Sequence, residues 1–178
     1  TGNSGNNVII GGAGNDTLYG GTGTDTVNYA AAGSAVVVNL ATGTATGGAG
    51  SDTLAGFENV VGSANADTLT GSAVANTING GAGADLLVGG GAADTIDNGA
   101  ANDNLQDVIR YTAAADYGDT VNNFDANGVA AVDDRVELNG ALNTLFDDIT
   151  LDDNIQFAPA NDAGNNTANW QNIEQDVA

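Results

Sequence analysis

Apolar side chains in the first part of the chain come at a fixed interval. Ile9, Leu18, Val27, Leu54, Leu69, Ile78, Leu87, Ile96 and Leu105 each hold the eighth place of a nine-residue frame. The copies are GNSGNNVII (2–10), GGAGNDTLY (11–19), GGTGTDTVN (20–28), GGAGSDTLA (47–55), GSANADTLT (62–70), GSAVANTIN (71–79), GGAGADLLV (80–88), GGGAADTID (89–97) and NGAANDNLQ (98–106). A short fixed period marks a repeat architecture. Within one unit, Gly-Gly-x-Gly permits positive φ and a tight turn where a Cβ would clash. The residues after it predict a short strand with one side chain inward and the seventh-place residue, usually Thr, outward. One apolar residue per unit makes no core alone, but stacked units bury a continuous column of Leu, Ile and Val.

Two segments break the frame. Residues 29–46 keep two unit lengths but lose the turn signature, and Val36, Val37, Val38 and Leu40 predict a longer strand in a wider coil with an ordinary hairpin or loop. GFENVV (56–61) is three residues short of a unit. From residue 107 the composition changes. Strands are predicted around Val108–Tyr111, Thr120–Phe124 and Arg135–Leu138. Leu142, Leu145, Phe146 and Ile149 have helical spacing, and Trp170, Ile173 and Val177 make a weaker helical stripe. An open solenoid end needs a cover. The expected organisation is therefore a roll over 1–106, interrupted at 29–46 and 56–61, and a small mixed α/β cap over 107–178.

Composition narrows the chemistry. The 178 residues suit one ordinary domain, and they hold no Cys, no His and only two basic side chains, for a net charge of −21. Thiolate or imidazole metal sites and His-based nucleophilic catalysis are excluded. A basic nucleic-acid surface is excluded as well, and no apolar run is long enough to span a bilayer. Asp133/Asp134, Asp147/Asp148 and Asp152/Asp153 are neighbours, which on a strand point opposite ways and form no catalytic dyad, so the chain is expected not to be an enzyme. It begins at Thr1 without a signal peptide and reads as a fragment or processed piece. A charge of −21 on a compact body opposes folding unless a cation neutralises it, and hard carboxylate and carbonyl oxygens suit Ca²⁺. The sixth place of the frame supplies the carboxylates: Asp16, Asp25, Asp52, Asp67, Asp85, Asp94 and Asp103, with Asn7 and Asn76 in the other two copies. In the tail, Asn123, Asp125, Asn127, Gly128 and Asp134 are spaced like an EF-hand loop, but with Asn first, Asp last and strands as flanks, so a polar turn is the better reading.

GGAGNDTLY and GGAGADLLV match the GGxGxDxUx signature (U being a large apolar residue) and resemble the RTX, or hemolysin-type, calcium-binding repeats over residues 2–106. The resemblance implies an all-β fold, a parallel β-roll (right-handed β-solenoid) in which two units make one coil and Ca²⁺ lies between turns one coil apart. Roughly three to five ions are expected. It implies that the sixth-place side chains bind together with carbonyls of Gly12, Gly14, Gly48, Gly50, Asn65 and Gly80. Gly81, Ala82, Gly83, Gly89, Gly91 and Ala100 would supply the rest. Asp67 would face Asp85, Asp85 would face Asp103, Asp52 would face Asp67, and Asn76 and Asn7 would face Asp94 and Asp25 in weaker sites. Asp16 would find its partner in the 29–46 break. The implied function is a secreted or cell-surface bacterial segment exported by type I secretion. It would fold on Ca²⁺ and serve an S-layer, filament or adhesin protein, alone, self-associated or against a cell-surface partner. The alternative is the C-terminal secretion and folding module of a secreted enzyme or toxin.

Overall fold

Each Gly-rich turn reverses the chain after a strand of a few residues, so the next strand falls on the opposite sheet and the one after it stacks on the first. The computed structural model describes residues 1–99, 105–112, 118–124 and 134–138. The described residues are all-β, with no helix. Fourteen strands form two facing sheets. In chain order they are β1 (Val8–Ile9), β2 (Thr17–Tyr19), β3 (Thr26–Asn28), β4 (Val36–Asn39), β5 (Thr44–Gly47), β6 (Gly50–Ala55) and β7 (Asn59–Val61). Then come β8 (Thr68–Ser72), β9 (Thr77–Asn79), β10 (Leu86–Gly90), β11 (Thr95–Asp97), β12 (Val108–Tyr111), β13 (Thr120–Asn122) and β14 (Arg135–Leu138). One sheet runs β1-β3-β7-β9-β11-β13 and the other β14-β12-β10-β8-β4-β5-β6-β2.

The eighth-place residues pair in register and fill the space between the sheets. Leu69 pairs with Leu87 and Leu87 with Ile109. Opposite them Val60, Ile78, Ile96 and Val121 form an unbroken parallel ladder. All of these side chains are buried. Seventh-place Thr17, Thr53 and Thr77 are exposed, as strand alternation requires. A buried Leu or Ile contributes about 1.5–3 kcal/mol by leaving water. Leu87→Ala is expected to cost about 2–5 kcal/mol, read from urea denaturation in saturating calcium, because the parallel ladders above and below hold the cavity open.

The structure departs from the expected frame in three places. First, the 29–46 break is a hairpin in the plane of the larger sheet: β4 and β5 pair antiparallel, and so do β5 and β6. The repeat-like GGAGSD turn is used here as a tight connection, with Gly47 opposite Gly50 and only Gly48 and Ala49 between them. Alternation in Val36-Val37-Val38 decides this: Val36 and Val38 are buried and Val37 is half exposed, which suits a strand paired on both sides. Second, the copy at 98–106 is out of register. Leu105 is 41% exposed and Ile109, four residues on, takes the place under Leu87. Third, the ladders continue past residue 106, with β12, β13 and β14 extending both sheets. The helices expected at 142–149 and 170–177, and most of the 123–134 loop, lie outside the described residues.

Candidate metal centres

Strand register carries the turns with it, so the sixth-place residues stack as the strands do. Along the larger sheet, the Asp16 N–H donates to Asp52 Oδ1 at 2.9 Å, Asp67 N–H to Asp85 Oδ1 at 2.8 Å, Asp85 N–H to Asp107 Oδ1 at 2.7 Å, and Asp107 N–H to Asp134 Oδ1 at 2.9 Å. Along the smaller sheet, Asn7 N–H donates to Asp25 Oδ1, Asp25 N–H to Glu58 Oε2, Asn76 N–H to Asp94 Oδ1 and Asp94 N–H to Asp119 Oδ1, at 2.7–2.8 Å. The result is two columns of carboxylates, one on each edge of the roll.

Sequence reasoning missed four members: Glu58, Asp107, Asp119 and Asp134. Their signal is an acidic residue followed two places later by Val or Ile, as in DVI (107–109), DTV (119–121), DRV (134–136) and ENV (58–60). The Gly turn is absent there, and the steps between stacked residues lengthen from 18 to 22, 25 and 27 residues. Glu58 keeps its place in a corner three residues short because its side chain is one methylene longer.

The pairings expected for Asp67 with Asp85, Asn76 with Asp94 and Asn7 with Asp25 are present as backbone-to-side-chain hydrogen bonds. Three others differ. Asp16 meets Asp52 rather than a residue of the break. Asp52 does not face Asp67, because β5 and β4 lie between them and Asp67 Oδ1 accepts the Val36 N–H. Asp85 meets Asp107, while Asp103 and Ala100 lie outside the described residues.

The carbonyls are divided in the same way. Stacked turns approach so closely that the oxygens of Gly80, Gly89 and Gly14 lie 2.1–2.2 Å from the place of a Cβ on Gly62, Gly71 and Gly50. Asn65 O lies 2.7 Å from that place on Gly83, and Gly81 O 1.8 Å from that on Gly99. Those five carbonyls are in the gaps between turns. Ala82 meets the gap through its N–H, which donates to Ser63 O. A Cβ on Gly48 would meet Ser34 O at 2.2 Å, one on Gly91 would lie 3.5 Å from Ala73 Cα, and one on Gly12 would meet open space.

The donor set fits a hard cation. The gaps offer carboxylate and carbonyl oxygens, although among the described residues no three of His, Cys, Asp and Glu come together. Asp25 is fully buried, yet its Oδ2 has no hydrogen-bond donor; the same holds for the shielded Oδ2 of Asp16. A buried carboxylate oxygen without a donor is costly, and a cation removes that cost. Protein cations do not: Arg110 and Arg135 both pair with Glu137. The Arg110 hydrogen bond, with the charge of Arg135, holds the Glu137 carboxyl below its usual range. Elsewhere the protein supplies the donors itself. Asp67 accepts from Val36 N–H, Ser63 N–H and Ser63 Oγ, and Asn76 Oδ1 accepts from Ser72 N–H. Those turns carry Ser at the second place instead of Gly and have less need of an ion.

Stacked oxygen-lined turns on both edges of a parallel roll define a cation-binding β-solenoid. The RTX calcium-binding nonapeptide repeat, in four copies, matches residues 1–31, 43–59 and 70–105. Across residues 1–105 the chain thus belongs to the RTX calcium-binding nonapeptide repeat family. No curated protein matches the chain. RTX repeats bind calcium and are typical of secreted proteins. No helix among the described residues is long and apolar enough to cross a membrane.

Proposed function

We propose that this chain is a non-catalytic structural segment of an extracellular surface protein, of the S-layer, filament or adhesin type, that folds on calcium after export. The observation that carries the reading is the pair of carboxylate columns, assembled by the same stacking that builds the core. At the low free calcium of a cytoplasm the columns repel and single-residue ladders do not hold, so the chain passes unfolded through a type I export channel. Outside, millimolar calcium fills sites tuned for that range. Sixth-place residues bind the ion, and the turn carbonyls complete its oxygen shell. Each site filled at tenfold excess adds about 1.4 kcal/mol to the folded state. Roughly three to five such sites suffice to switch a marginal domain. The structural role, rather than service to an enzyme, is supported by the uncharged seventh-place Thr on the outer faces of the sheets, of which Thr17, Thr53 and Thr77 are exposed.

The test is assembly. Light scattering and negative-stain microscopy of the chain in millimolar calcium are expected to show ordered layers or filaments that disperse in chelator. A monodisperse monomer at every calcium concentration would count against the structural role and favour the folding module of a secreted enzyme or toxin.

A further inference from the structure

We infer that the β4–β6 meander is a cation-independent island, folded before calcium arrives, on which the calcium-dependent coils then build. This rests on the calcium-coupled reading of the regular coils and adds where the roll begins to fold.

Three observations converge on the meander. Its pairings are local: β5 and β6 are joined across Gly48 and Ala49 alone, and β4 and β5 across residues 40–43. The parallel pairs of the roll must instead close stretches of at least 18 residues. Short closures cost less entropy and form sooner, and three antiparallel strands with one apolar face are the smallest sheet that stands alone. The apolar face is also denser here. Residues 29–60 contribute eight buried apolar side chains, whereas residues 62–99 contribute four. Tyr29 and Phe57 share one buried cluster with Val36, Val38 and Leu54.

The third observation is the carboxylate inside the island. Asp52 is 5% exposed and both of its oxygens have protein donors. The Asp16 N–H donates to Oδ1 and the buried Tyr29 Oη donates to Oδ2, each at 2.9 Å. Tyr29 thus does for Asp52 what an ion does elsewhere in the columns. Its own N–H donates to Val61 O at 2.9 Å, tying the island to β7.

The test is hydrogen exchange of the full chain, read by peptide mass spectrometry in EDTA and in millimolar calcium. In EDTA the amides of 36–55 are expected to exchange about a hundredfold more slowly than those of 77–97, and in calcium both segments are expected to be slow. Tyr29→Phe is expected to speed exchange of 36–55 in EDTA by about tenfold. If neither segment is protected in EDTA but both are in calcium, the island is overturned and calcium-coupled folding stands. If both are protected in EDTA, the island as a distinct unit and calcium-coupled folding fall together. No effect of Tyr29→Phe on the 36–55 amides would remove the latch on which the island rests.

Discussion

Asp85→Asn is expected to weaken calcium binding by about tenfold or more, while the roll still assembles in saturating calcium. Asp85 occupies the middle of a column. Its Oδ1 accepts the Asp67 N–H and its own N–H donates to Asp107. Asn keeps a side-chain oxygen for the Asp67 N–H and removes only the charge, so the loss falls on the ion. Asp85→Ala removes the acceptor too and strands a buried N–H, at about 1–3 kcal/mol more. The order wild type, Asn, Ala should appear in urea midpoints measured in calcium, and isothermal titration should show weakened binding for both variants. Equal calcium affinity in wild type and Asp85→Asn would mean that the column is a hydrogen-bonding device and not a cation site.

Gly81→Ala is expected to cost about 3 kcal/mol or more and to lower calcium affinity with it. Gly81 has φ +102, where an L side chain is strained, and its Cβ would sit 2.0 Å from Ser63 O. The Ala82 N–H also donates to that oxygen, so it cannot turn aside without losing the hydrogen bond. The two turns must then separate, which widens a gap whose oxygens have to converge on one ion. Gly91→Ala is the control. The nearest atom to its Cβ would be Ala73 Cα at 3.5 Å, and it should change stability by less than about 0.5 kcal/mol.

These effects show which parts of the molecule a sequence discloses. The Gly turns, the inward Leu, Ile and Val, and the sixth-place Asp recur through most of the nine copies, so the roll and most of its columns are legible from spacing. The antiparallel use of GGAGSD is not, because the motif specifies a sharp reversal with positive φ but not its partner. Gly47 and Gly50 close an antiparallel pair, whereas the same turn at 11–16 leads into parallel β2. What decides the outcome is remote: Val36 and Val38 bury against the core, and β4 pairs with both β5 and β8. Glu58, Asp107, Asp119 and Asp134 escaped for a related reason. Insertions and the short corner shift them out of the nine-residue frame, while strand register restores them to the columns. Leu105 shows the converse, a residue in frame that the register leaves exposed.

The most direct measurement is far-UV circular dichroism of chelator-stripped protein titrated with Ca²⁺, with Mg²⁺ as the control. The account predicts a spectrum that is mostly coil without metal, apart from a minor β signal from residues 36–55. It then predicts a cooperative rise to the full β signal with Ca²⁺ in the millimolar range or below, and no comparable rise with Mg²⁺. A fully β-rich spectrum in chelator, unmoved by Ca²⁺, would contradict it and leave a roll held by its Leu, Ile and Val ladders alone.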